Sequence, residues 1–141
     1  MTKVYHGILA GIPAQEEGVV ELALSKISSA EKGWRMIPAK KGKPSVTAWR
    51  VVATHEGRAL VEFRPATGRT HQIRVHAASG IGIALVGDPV YGSRDGAPRT
   101  MLHASSIVVA REGKTDIAAT SPLPADFAAL GFPDPGAGDG A

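Results

Sequence analysis

The chain has 141 residues, of which 43% are hydrophobic, and it contains no cysteine. That composition excludes a disordered chain, a disulfide scaffold, a thiolate zinc site and a cysteine nucleophile. No apolar run reaches the length of a membrane span and the N-terminus lacks a basic-then-apolar signal pattern, so a cytoplasmic protein without a membrane partner is expected. The net charge of +3, from 16 Lys and Arg against 13 Asp and Glu, permits a polyanionic partner without requiring one.

Seventeen glycines and ten prolines favour short strands and turns over a helix bundle. Lys3 to Ala10 reads as a strand broken by Gly11 and Pro13, and Val19 to Leu24 as a second, with Val20, Leu22 and Leu24 on one face. Ser25 to Pro44 is polar, basic and interrupted by Gly and Pro, which predicts a loop whose most basic part is Lys40 to Lys43. Ser45 to Thr54 and Ala59 to Pro65 form the clearest hairpin, turning at Glu56-Gly57. A helix is predicted next, with Thr70 as N-cap, His71 to Ser79 as its body and Gly80 as the left-handed C-cap residue. Ile83 to Val86 is a brief apolar run ended by a Gly87-Asp88-Pro89 turn. Leu102 to Ala110 and Thr115 to Ala119 read as two further strands joined at Glu112-Gly113. One domain over residues 1–132 and a disordered tail over residues 133–141, made only of Pro, Gly, Ala and Asp, complete the reading.

Thr67 to His76 concentrates Arg69, Arg74, His71, His76 and Gln72 where a strand ends, a glycine loop turns and a helix begins. Unpaired N–H groups at a helix start, with flanking arginines, suit a phosphate. A solvated helix start whose arginines pair with local carboxylates fits the same residues, and composition leaves both open. His71 and His76 are five apart and diverge by about 140° on a helix, so no metal site is expected. Gly80-Ile81-Gly82 lacks a third glycine in time for a dinucleotide fingerprint, and no nucleophile elbow or phosphate loop occurs.

The run TGRTHQIRVH at Thr67 to His76, ALVGDPVYG at Ala84 to Gly92 and MLHASSIVV at Met101 to Val109 resembles the C-terminal half of the RluA-type RNA pseudouridine synthase catalytic domain. Lys3 to Tyr5 resembles that family's K-x-Y strand. Gly18 to Leu22 and Gly42 to Thr47 follow in the family's order, so the resemblance spans about Lys3 to Phe127. It implies an α+β fold, a mixed, mainly antiparallel sheet with a few short helices, incomplete at its N-terminus. It implies isomerisation of uridine to pseudouridine in ribosomal or transfer RNA, with no cofactor. Tyr5 would stack on the target base, and Arg74 would pair with the catalytic carboxylate and keep it ionised. Arg69, His71 and Gln72 would support the RNA backbone or the shape of the site, and Ile73 would line the uracil pocket. Lys41 and Lys43, in the basic loop, are candidate phosphate contacts, with a solvated charged loop as the plainer reading.

The family's nucleophilic aspartate lies in a His-Arg-Leu-Asp segment upstream of the K-x-Y strand, where this sequence has only Met1 to Val4. None of Asp88, Asp95, Asp116, Asp126, Asp134 and Asp139 has that context. The expectation is therefore the back half of a catalytic domain, inactive alone, that self-associates through exposed sheet edges or joins an N-terminal half. The alternative is a non-catalytic RNA-binding module derived from the same fold.

Overall fold

A computed structural model of the chain describes residues 2–29, 33–92 and 97–134. Its first strand, β1 (Thr2–Leu9), is followed by β2 (Glu17–Glu21), β3 (Leu24–Ser29), β4 (Gly33–Pro38), β5 (Val46–His55) and β6 (Arg58–Pro65). Helix α1 (Gln72–Val75) runs directly into a π-helical stretch (His76–Ile81), and β7 (Leu102–Val109), β8 (Ile117–Thr120) and α2 (Ala125–Ala129) complete the chain. Six strands form one sheet in the order β2-β5-β6-β1-β7-β8, and β3 pairs with β4 as a separate ribbon. Every pairing among these strands is antiparallel. The α+β fold with a mainly antiparallel sheet and few short helices is the one expected.

β1 lies between β6 and β7, and its Gly7-Ile8-Leu9 end is buried on both faces by two cores. Leu9 faces a core with Val20, Trp49, Val61, Phe63, Ile73 and Ala77, which joins the sheet to α1 and the π-helical stretch. Ile8 points the other way, into a second core with Leu60, Met101, Phe127 and Phe132. That second core is where α2 covers the sheet, anchored by the fully buried Phe127. The β5–β6 hairpin turns at Glu56 and Gly57, with φ of 49° and 79°. Two successive positive φ values are what a two-residue turn matching the strand twist needs.

Three expectations change. The segment Ser25 to Pro44 is not a loop throughout, since it contains most of the β3–β4 ribbon, in register from Leu24↔Pro38 to Ser28↔Trp34. The ribbon stands off the main sheet and buries little beyond Leu24 and Met36, against Val75 and Tyr91. A strand pair with so small a buried face carries no sustained apolar alternation, so its sequence reads as a loop. The second strand ends at Glu21, and Leu24 opens β3 rather than sharing Val20's face.

The helix also differs. Its N-cap position is His71, with φ 53° and ψ 20°, not Thr70, and its end is Gly82 at φ 88°, not Gly80. The turns widen after Val75, so the Gly82 N–H reaches back to the Ala77 carbonyl at 2.9 Å and the cap shifts two residues onward. Gly80 serves a different purpose. A Cβ there would lie 2.4 Å from Val20 Cγ1, so its bare backbone lets the π-helical stretch seat on the edge of the sheet.

The expected tail lies, from residue 135 onward, outside the described residues; of the rest, Asp134 accepts a 2.8 Å hydrogen bond from the Leu123 N–H.

Candidate active site

The loop from Pro65 to His71 is held by a buried polar network. Gln72, 4% exposed, donates from Nε2 to the Val46 carbonyl and to Thr47 Oγ1, both at 2.9 Å. Its Oε1 accepts from Thr67 Oγ1 at 2.6 Å and from the Arg69 N–H at 3.0 Å. His76, 1% exposed, continues the network through Nδ1 to Thr47 Oγ1 at 2.8 Å and Nε2 to the Leu22 carbonyl at 3.0 Å. A carbonyl only accepts, so His76 carries its proton on Nε2, and Nδ1 accepts the Thr47 hydroxyl. Burial lowers the His76 pKa, partly opposed by the Leu22 carbonyl, which fits a neutral ring. Both the amide nitrogen and the amide oxygen of Gln72 are thus engaged inside the chain.

Arg74 sits at the centre. Its Nε and Nη2 donate to Asp88 Oδ2 and Oδ1 at 3.0 and 2.8 Å, a two-pronged ion pair with Arg74 18% and Asp88 0% exposed. Asp88 Oδ1 also accepts from the Val90 and Tyr91 N–H groups at 3.0 and 3.1 Å. Asp88 is therefore the turn residue that the sequence indicates, and also the buried counter-ion of Arg74. Burial alone would raise the Asp88 pKa, but the guanidinium and the two N–H donors outweigh it and hold the carboxyl below its usual value. The segment that carries Asp88 is pinned beside β1, with Val86 N–H donating to the Ile8 carbonyl at 2.8 Å and Met101 N–H to the Val86 carbonyl at 2.9 Å.

His71 bridges Arg74 and Tyr91. Its Nε2 lies 3.0 Å from Arg74 Nη1 and its Nδ1 2.8 Å from the Tyr91 hydroxyl. Tyr91 Oη accepts the Met36 N–H of β4 at 2.9 Å, and the Tyr91 ring lies under the guanidinium, 5.1 Å from Arg74 Cζ. Trp34, on the same strand as Met36, stacks on the His71 ring at 4.9 Å and 23°. Burial and then the Arg74 charge lower the His71 pKa, with Asp88 opposing them.

Beside this cluster opens a cavity of about 270 Å³ lined by Lys3, Tyr5, Arg69, Ile73, Arg74 and Leu102. Tyr5 is half-buried on β1, opposite Phe63 on one side and Ala104 on the other. Tyr5, Ile73 and Arg74 thus share one pocket, as do Arg69, His71 and Gln72 on its loop side. A second cleft of about 550 Å³ shares Arg69 and is lined by Lys26, Lys41 and Lys43. Lys43 is fixed through its backbone, which exchanges hydrogen bonds with Leu24 at 2.8 and 2.9 Å, and Lys41 is exposed. Among the described residues no cluster of three or more His, Asp or Glu is arranged to hold a metal ion, and no helix is long and apolar enough to cross a membrane.

Asp88, Tyr91 and Trp34 were not among the residues that the sequence singles out for the site. Asp88 and Tyr91 lie inside the GDPVYG run, which carried a signal, but a pairing across 14 residues between Arg74 and Asp88 has no local pattern. Trp34 falls in the ribbon whose strands are illegible in the sequence.

The RNA pseudouridylate synthase family model matches residues 1–79, more than half of the chain. A relative described as an uncharacterised RNA pseudouridine synthase of Zymomonas mobilis is 52% identical over 132 residues, covering 92% of this chain and 60% of that protein. The ribosomal large subunit pseudouridine synthase D of the same organism is 37% identical over 100 residues, covering 71% of this chain and 31% of the relative. Among solved structures, the human RNA pseudouridylate synthase domain containing 1 superposes with a TM-score of 0.72 at 28% identity, over 95% of this chain and 67% of that one. The chain thus spans about 60% of the first of these relatives, and 41% and 40% of others from Synechocystis and Chloroflexus. By these matches and by the motifs it carries, the chain belongs to the RluA-type RNA pseudouridine synthase family.

Proposed function

We propose that this chain forms the base-binding side of the active site of a cytoplasmic enzyme that isomerises uridine to pseudouridine in ribosomal or transfer RNA. The reaction breaks the bond between ribose C1′ and uracil N1, turns the base and joins C1′ to C5, whose proton is lost as N1 gains one. No atom is added and no electron transferred, so the work falls on positioning and on electrostatic stabilisation. The observation that carries the reading is the placement of Tyr5, Ile73 and Arg74 around one cavity, with Arg74 fixed by a buried carboxylate. In it, Tyr5 stacks on the flipped base and Ile73 lines the uracil edge. Arg74 orients a catalytic aspartate supplied from outside this chain. Arginine has five N–H donors, and bonds to Asp88 and His71 engage three of Arg74's. The remaining two suit an incoming carboxylate.

Asp88 is not that nucleophile in this reading, because it is fully buried and engaged by four donors. The basic cleft with Lys41, Lys43 and Arg69 takes RNA phosphates. The same cleft favours a second reading, a module that binds RNA without converting it, since phosphate contacts need no nucleophile. A segment carrying the family's His-Arg-Leu-Asp motif completes the site, and self-association through edge strands β2 and β8 is its competitor.

The test mixes purified chain with that segment of its own coding frame and transfer or ribosomal RNA. Pseudouridine is then sought by carbodiimide derivatisation and mass measurement. Conversion by the mixture but by neither part alone supports the enzyme. Salt-sensitive RNA binding without conversion in the mixture supports the module instead.

A further inference from the structure

Resting on that reading, we infer that His71 and Tyr91 are positioning residues for Arg74, and that the β3–β4 ribbon holds them in place, so that Arg74's third donor is set by a ribbon outside the base pocket. The argument starts from which atoms can donate. Arg74 Nη1 can only donate, so His71 Nε2, 3.0 Å away, must accept and carries no proton. A neutral His71 then bears its proton on Nδ1 and donates it to the Tyr91 oxygen at 2.8 Å. That oxygen already accepts the Met36 N–H at 2.9 Å. The ribbon's backbone thus fixes the Tyr91 hydroxyl, the hydroxyl fixes the imidazole tautomer, and the tautomer presents a lone pair to Arg74. A free histidine side chain prefers the opposite tautomer, so the arrangement is imposed by its partners.

Three further features bear on His71 and its neighbours. His71 occupies the left-handed region at φ 53°, which a non-glycine residue adopts only where its surroundings offset the cost. Trp34 stacks on its face, with Lys26 Nζ 4.8 Å from the indole centroid. Leu24 and Met36 of the ribbon pack with Val75 of α1, one residue beyond Arg74, and Tyr91 packs against the three. The ribbon is therefore tied to the arginine by backbone, by side-chain stacking and by core contact at once.

The tautomer is measurable on the chain itself, without any reaction. In histidine-labelled protein near neutral pH, nitrogen NMR of His71 should show a protonated Nδ1 and an unprotonated Nε2. The opposite tautomer, or a doubly protonated ring, overturns the inference. Tyr91→Phe removes the acceptor of the Nδ1–H, so the ring should leave Arg74 and show a mixture of the two tautomers. In a Trp49→Phe background it should also shift Trp34 emission as the stack loosens. An unchanged tautomer and unchanged emission in Tyr91→Phe would sink the role given to the ribbon.

A kinetic arm uses the protein with its completing segment. His71→Asn keeps a donor for Tyr91 and suits the left-handed backbone, but presents nothing to Arg74. His71→Gln reaches Arg74 with its amide oxygen. A positioning role predicts that kcat falls about tenfold or more in Asn while KM stays within about twofold, and that Gln recovers most of the loss. Equal losses in both, or a loss in KM alone, count against it. If no completed protein converts uridine, the enzymatic reading fails while the tautomer result still stands or falls alone.

Discussion

Replacing Arg74 by alanine removes the guanidinium that meets Asp88, with a consequence that can be measured without any reaction. Asp88 is 0% exposed, and without the guanidinium its remaining donors among the described residues are the Val90 and Tyr91 N–H groups at 3.0 and 3.1 Å. Breaking a buried pair by removing one partner costs about 3–5 kcal/mol, because the other charge stays buried. Set against a domain stability of about 5–15 kcal/mol, this is a large share. Acid should relieve the cost. In the parent chain Asp88 titrates below its ordinary value, so its contribution is present above the unfolded pKa and is lost as the pH falls through the folded one. In the variant the burial effect is no longer outweighed and the folded pKa rises. The penalty is then full at neutral pH and shrinks as the pH falls through that raised value. Urea unfolding of both proteins at about pH 7 and about pH 5 measures the difference, and adding Asp88→Asn to the variant should recover part of the loss at neutral pH. A loss below about 1 kcal/mol, independent of pH and of Asp88, would refute the account of the pair. It also follows that loss of activity in Arg74→Ala reports on catalysis only after the fold has been checked.

Three other outcomes are expected. His6, His71 and His76 all have pKa values lowered by burial, so the unfolded chain takes up protons first as the pH drops below 6.5. The urea midpoint should therefore fall between about pH 7.5 and about pH 5.5, and His76→Asn should flatten part of that slope; a flat profile in the parent would contradict the neutral, buried network. Gly80→Ala should cost about 1–3 kcal/mol through its clash with Val20 and be partly relieved by Val20→Ala. Gly87→Ala should resist any such rescue, since its φ is 81° and the added Cβ would lie 2.0 Å from the backbone carbonyl oxygen of Arg99; double-mutant unfolding cycles distinguish the two. Finally, if the basic cleft takes phosphates, Lys41→Ala and Lys43→Ala should each weaken RNA binding irrespective of sequence and reduce the salt dependence by about one counterion, as read by fluorescence anisotropy across a salt series.

Much of this was legible one residue at a time. The β5–β6 hairpin and β1 bury residues enough to leave an alternating or continuous apolar signature, β7 keeps one while only half-buried, and Glu56-Gly57 carries its own turn chemistry. The TGRTHQIR run located the pocket wall, because Arg69, His71, Gln72, Ile73 and Arg74 are close in the chain and so necessarily close in space. The β3–β4 ribbon escaped because its stability comes from two anchors, Leu24 and Met36, rather than from a face. The helix end escaped because Gly80, which reads as a cap, instead packs against Val20 on a strand some sixty residues earlier, a contact that no local propensity records.

Sequence alone thus determined the family, the sheet-rich fold and the stretch that forms the pocket, since these rest on local pattern and residue order. Only the tertiary structure decided what each polar group in that stretch touches. Gln72 and His76 turned inward because Val46, Thr47 and Leu22 offered partners that water would otherwise supply. Arg74 acquired Asp88 because the segment after the helix returns beside β1 and buries a carboxylate against it, and a buried charge must be met by another. Such pairings join residues through space, and the chain's order carries no trace of them.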